Sequence, residues 1–151
     1  MYVTAQFSVF MVNKPGVLAH ILGEFAGAKI NITAMTVMDS VEHGVLRAVF
    51  DNPQKAEDVL AKSGMPFNKT EVLCVTLDNR AGALAGVAER LATNHINISY
   101  AYCTAGAKGG HTTGILKVAD VKKAMKILQE NYKRGSKSQP LIRRSQSSGR
   151  I

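Results

Sequence analysis

The sequence predicts an α+β protein built from two tandem βαββαβ units, with antiparallel sheets and the helices on one face. Three observations predict it. The chain repeats itself at an offset of 66 residues. Segments of strand period and helix period follow one another in the same order in both copies. Cap and turn residues stand at the joints between them.

The repeat comes first because it organises the rest. Asn13-Lys14-Pro15-Gly16-Val17-Leu18-Ala19, followed by Ile30-Asn31-Ile32, recurs as Asn79-Arg80-Ala81-Gly82-Ala83-Leu84-Ala85 and Ile96-Asn97-Ile98. Later, Ala56 and Leu60 match Ala124 and Leu128 at an offset of 68. The two added residues fall in the Gly-rich stretch Ala105–Gly110, a place where a hairpin tolerates insertion.

Each copy opens with a strand. Phe7, Val9 and Met11 alternate with Gln6, Ser8 and Phe10, and Leu73, Val75 and Leu77 alternate with Val72, Cys74 and Thr76. A tight loop leads to a helix. Leu18, Ile21, Leu22 and Phe25 form one apolar stripe, as do Leu84, Val87, Ala88 and Leu91. Ile30–Met38 and Ile96–Thr104 read as strands rich in Ile, Thr, Met, Val and Tyr. Turns at Asp39–Gly44 and Ala105–Gly110 return the chain into strands Val45–Phe50 and Thr113–Val118.

A second helix closes each copy. Asn52 is placed as its N-cap, Pro53 as its first residue and Gly64 as its stop. In copy two Asp120 takes the cap, with Val121, Ala124, Met125 and Leu128 on one face. Met65–Thr70 is available as a closing strand in copy one. The expected divisions are 1–69, 70–131 and a basic flexible tail, 132–151. If residues 132–138 form no strand, the second unit is expected to leave an open sheet edge for a partner chain. Phe10, Val12, Leu46 and Phe50 are expected to alternate away from the helices and form a second packing surface.

Composition bounds the function. The chain has 151 residues, 46% hydrophobic and 20% charged, as in globular domains. No apolar run is long enough for a membrane span, and no secretory signal is visible at the start. Two cysteines without a CxxC pair fit a reduced, cytoplasmic protein. Of the net charge of +8, six charges belong to residues 132–151, leaving +2 for the rest. A near-neutral body argues against a nucleic-acid-binding domain, whose charge forms a patch or stripe.

The duplicated loop, its helix and the Asn-Ile step resemble the ACT family, a ferredoxin-like βαββαβ module that binds amino acids and regulates metabolic enzymes. Copy one shows the family's Asn-x-Pro-Gly loop as Asn13-Lys14-Pro15-Gly16, then Leu18 to Phe25, then Asn31-Ile32. Copy two keeps Asn79, Gly82, Leu84 and Asn97-Ile98, with Ala81 in place of proline. The resemblance covers roughly residues 3–131 and is closest to small tandem-ACT proteins without a catalytic domain. It implies a ligand between side-by-side units, held by the loop of one and the second strand of the other. The implied binding residues are Asn13, Lys14, Pro15, Gly16, Val17, Leu18, Asn31 and Ile32, with Asn79, Arg80, Gly82, Ala83, Leu84, Asn97 and Ile98 in the second copy.

The loop chemistry is consistent with that ligand. A glycine lets backbone approach a small molecule closely. A helix start exposes N–H groups to a carboxylate, proline stiffens the turn, and asparagine offers both donor and acceptor.

Other signals are weaker. Gly106 to Thr112 lacks phosphate-loop spacing and lies between two strands. His20, His43, His95 and His111 have no zinc-site spacing, although His20 stands beside the first loop. Cys74 and Cys103 have no evident partner base. Met35, Met38, Tyr100 and Tyr102 read as strand residues facing a core or interface. No catalytic residue, metal or cofactor is expected. The expected function is a small-molecule-sensing regulator, homodimeric, that modulates a partner enzyme or pathway. The alternatives are a non-sensing assembly subunit and, further off, an RNA-binding module of the same topology.

Overall fold

The computed structural model describes residues 1–39, 43–104 and 110–135. Its elements are β1 (Tyr2–Val12), α1 (Val17–Gly27), β2 (Ile32–Asp39), β3 (His43–Phe50), α2 (Pro53–Ser63), β4 (Phe67–Asp78), α3 (Ala83–Thr93), β5 (Ile98–Cys103), β6 (His111–Val118) and α4 (Val121–Gly135). The Gly-rich stretch between β5 and β6 lies largely outside the described residues, as does the chain beyond Gly135.

The joints follow the side chains. Asn52 Oδ1 accepts from the Lys55 N–H at 3.1 Å at the start of α2, and Asp120 Oδ1 accepts from Lys123 at 2.9 Å at the start of α4. Gly64 ends α2 in the left-handed region at φ 71°. Strands expected to open at Ile30 and Ile96 begin at Ile32 and Ile98. Ile30 and Ile96 instead close the preceding helices: their N–H groups donate to Phe25 at 3.0 Å and Leu91 at 2.8 Å. The residues just before them, Lys29 and His95, take positive φ to make the turn.

The strands form one antiparallel sheet in the order β2-β3-β1-β4-β6-β5. β1 and β4 lie at its centre and serve both units. β1 pairs with β3 over Gln6–Val12 and with β4 over Tyr2–Val9. β4 pairs with β6 over Leu73–Asp78. Ala5 is opposite Glu71, its own counterpart in the repeat, so a local twofold axis passes through that pair. The start of β4 thus completes the first unit, and the start of β1 completes the second. The open edge expected at the second unit is covered by β1, because α4 runs on to Gly135 where a strand would have started.

The helices pack on one face. Phe7, Val9, Met11, Leu46, Ala48 and Phe50 meet Ile21, Phe25, Ala56 and Leu60 in the first core. Leu73, Val75, Leu77, Leu116 and Val118 meet Val87, Leu91, Ala124 and Leu128 in the second. Leu46 and Phe50 therefore face the helices, contrary to the sequence expectation. The register sets this: Val9 is opposite Leu46 and Phe7 opposite Ala48, and directly opposed residues share a face. Phe50 lies 4.4 Å from Phe25, centroid to centroid. Phe10 and Val12 stay exposed on the other face, as expected.

That other face is also partly filled. The sheet curls away from the helices until its edge strands, β2 and β5, come within 8 Å, Cα to Cα. In a flat sheet β3 and β5 would be about 19 Å apart, four strand spacings. Here Arg47 of β3 stacks on Tyr100 of β5 at 3.9 Å. Ala34, Val49, Val72, Cys74 and Ile115 are buried in the concavity, with Tyr102 packed against them.

Candidate functional site

The two glycine loops have the same backbone. Gly16 caps α1 at φ 88°, ψ −20°, and Gly82 caps α3 at φ 83°, ψ −9°. In each, the residue after the asparagine donates back across the turn: Lys14 to Val12 at 2.9 Å, Arg80 to Asp78 at 2.8 Å. Ala81 holds the same turn as Pro15, so the proline is not needed to form it. A Cβ on either glycine would meet nothing within 4 Å. The left-handed φ favours glycine at both positions, and no protein atom crowds either one. Neither helix start has a side-chain cap hydrogen bond, which leaves first-turn amides for another acceptor.

The predicted residues divide between the two ends of the sheet. Asn13, Lys14, Pro15 and Gly16 are exposed at the end where β1 finishes. Val17 and Leu18 anchor that loop in the first core. Asn31 is exposed at the far end, its backbone clamped by Asp51: the Asn31 N–H donates to Asp51 Oδ1 and the Asp51 N–H to the Asn31 carbonyl, both at 3.1 Å. Ile32 packs into the first core beyond it. The eight residues of β2 span about 25 Å, so no small ligand touches Asn13 and Asn31 of one unit together.

Strand direction pairs them differently. β2 runs parallel to β1 and β5 parallel to β4, while β1 and β4 are antiparallel. Loop Asn13–Gly16 therefore shares its end of the sheet with Asn97 and Ile98. Loop Asn79–Gly82 shares the other end with Asn31 and Ile32. Each loop is grouped with the other unit's Asn-Ile step, although β4 and β6, or β3 and β1, stand between them in the sheet.

The loops differ in their surroundings. At the second, Asp78 holds Arg80 at 3.5 Å and His111 at 3.5 Å. Asn79 is held by its N–H, which donates to the Gly110 carbonyl at 2.8 Å. Ala83 packs into the second core and Leu84 is exposed. The first loop has Val12 where the second has Asp78, and so has no carboxylate at that position. Around it Phe10, Val12, Val37 and Met38 are exposed. Their counterparts in the repeat, Thr76, Asp78, Cys103 and Thr104, are mostly polar.

One cluster was not anticipated. Gln6 is fully buried in the concave face. Its Nε2 donates to the Tyr100 hydroxyl at 2.7 Å and Ser8 Oγ at 3.4 Å, and the Tyr102 hydroxyl donates to its Oε1 at 2.9 Å. Burial, then the neighbouring Tyr100 and Cys74, push the Tyr102 phenol well above its ordinary value. The alternation of Tyr100 with Tyr102 was a signal for this face, but the closing of the sheet over Gln6 was not readable. No group of three or more His, Cys, Asp or Glu residues able to hold a metal occurs among the described residues.

Comparison with known proteins agrees with this architecture. A protein of Bacteroides thetaiotaomicron is similar at 28% identity and TM-score 0.79, over 86% of this chain and 89% of that one. The ligand-free regulatory subunit of aspartate kinase from Thermus thermophilus shares the fold at 14% identity and TM-score 0.62, over 87% and 98%. So does Escherichia coli aspartokinase III in complex with lysine and aspartate, at 15% identity and TM-score 0.54, over 87% of this chain and 32% of that one. No curated protein matches the chain. The family model described as an ACT domain pair matches residues 1–136, and with its paired glycine loops and shared sheet the chain belongs to that family.

Proposed function

We propose that the chain is a small-molecule-sensing regulator that binds an amino acid or close analogue where ACT units meet, and passes the signal to a partner enzyme. The observation that carries this is the duplicated turn: two glycine caps of one backbone shape, each starting a helix without a side-chain cap. Such a helix start favours a carboxylate through its free amides and its dipole. Asn13 supplies a donor and an acceptor beside it. The first loop is the working site, since it has no counterpart of Asp78 to repel the anion.

The exposed apolar residues around that loop, Phe10, Val12, Val37 and Met38, support a homodimer in which a second copy covers them. The second copy then brings an Asn-Ile step to the ligand, which one unit cannot do for its own loop. The chain carries out no chemistry of its own in this reading and uses no cofactor. It works in the cytoplasm; among the described residues no helix is long and apolar enough to cross a membrane. Likeness to the aspartate kinase regulatory subunit supports a regulatory role. Ligand binding regulates only if it favours one of two states or complexes.

Calorimetry of the purified dimer against the twenty amino acids tests this. At least one is expected to bind, and Gly16→Asp, which sets a carboxylate among the amides, is expected to abolish binding while the fold persists. Heat from none of them, with the protein folded and dimeric, sinks the sensing role. Regulation of the partner that survives Gly16→Asp favours the assembly subunit, the reading the exposed apolar residues would then serve alone.

A further inference from the structure

The concave face holds a second feature, away from both glycine loops. Arg47 projects from β3 between Ser8 and Thr36, its cross-strand neighbours. Its guanidinium lies 3.9 Å from the centre of the Tyr100 ring. Nη1 reaches the Met38 sulfur at 3.0 Å, a weak acceptor. Nε is buried and has no hydrogen-bond partner among the described residues. None of the ion pairs among the described residues includes Arg47. A buried donor left without an acceptor is costly, and more so when the group is charged.

The neighbours are polarised the same way. Gln6 Nε2 donates to both Ser8 Oγ and the Tyr100 hydroxyl, so each hydroxyl has already accepted and keeps its own proton to give. The cluster therefore offers donors from Arg47, Ser8 and Tyr100, while its one carbonyl oxygen, Gln6 Oε1, already accepts from Tyr102. Unit 1 supplies Arg47 and Ser8; unit 2 supplies Tyr100.

We propose that Arg47, with the Ser8 and Tyr100 hydroxyls, is a binding site for a small monocarboxylate at the seam between the two units. The fork of a guanidinium held flat against an aromatic ring suits the two oxygens of a carboxylate. A single cation beside the buried Ala34, Val49 and Ile115 balances one negative charge. A phosphate dianion there would retain an uncompensated charge in an apolar setting.

The test is a heteronuclear NMR titration of the full chain, following the Arg47 Nε–H resonance, assigned by its loss in Arg47→Lys. The probes are sodium propionate, sodium phosphate and sodium chloride at matched ionic strength. Propionate is expected to shift that resonance saturably, and the two inorganic salts are not. Tyr100→Phe, which keeps the ring under Arg47, should weaken propionate binding about fivefold, the loss of one hydrogen bond. Gly16→Asp should leave it unchanged, so the site stands or falls independently of the loops. No shift with propionate, an equal shift with all three salts, saturation by phosphate alone, or indifference to Tyr100→Phe would each overturn the assignment.

Discussion

Lys29 and His95 hold the same conformation in the two copies, φ 55° and 57°. An L-residue in that region is strained by about 1–2 kcal/mol, and glycine returns part of this through its freer unfolded chain. Lys29→Gly and His95→Gly are each expected to raise stability by about 0.5 kcal/mol, read from urea unfolding. Equal or lower midpoints would show that the turn holds its side chain for another reason. Tyr102 makes a different prediction. Its phenol is neutral when buried, so its folded pKa lies above the ordinary value of 10.0. At alkaline pH the unfolded chain therefore loses that proton first. The stability this neutral phenol contributes is complete below pH 10 and falls as pH rises beyond it. Cys74, raised by burial from 9.0, acts in the same direction from a lower pH. Unfolding midpoints should decline above about pH 9, and less steeply in Tyr102→Phe; a flat profile would contradict the burial.

At the scale of elements, β1 and β4 carry the most consequence. Residues 2–5 of β1 contribute nothing to the β1–β3 ladder, yet they pair with Glu71–Cys74 and bring Val3 to the second core. Deleting residues 1–5 is therefore expected to destabilise the second unit, by about 2 kcal/mol or more from lost ladder bonds and burial. Faster hydrogen exchange at Val72 and Cys74 would report it; unchanged exchange there would show that the edge needs no cover. This pairing also marks the limit of what the sequence shows. Helices, caps and glycine turns were legible because each rests on neighbouring residues: Asn52 on Lys55, Asp120 on Lys123, Gly16 on its own φ. The facing of Leu46 and Phe50 was not, since alternation in one strand gives two sets but not which set meets the helices. The Gln6–Tyr100–Tyr102 contacts were hidden for a related reason. They depend on curvature across the sheet, over separations of 94 and 96 residues. Among the proposed loop residues, type and spacing were plain, but strand direction was needed to group Asn13 with Asn97 and to part it from Asn31.

At the scale of the molecule, the shared central strands tie the two ACT units into one sheet. Unfolding is expected to be a single cooperative transition, with near-ultraviolet tyrosine signals and far-ultraviolet helix signals coinciding. Two separable transitions would mean that β1 and β4 do not couple the units. The central claim is that a glycine turn of one unit and an Asn-Ile step of another hold a small zwitterion between them. Amide NMR of the full chain, titrated with whichever amino acid binds calorimetrically, tests it most directly. The account predicts concerted, saturable shifts at Gly16, Val17 and Leu18 together with Asn97 or Asn31. Shifts that leave the loop amides in place, or that touch the loop without either asparagine step, would contradict it.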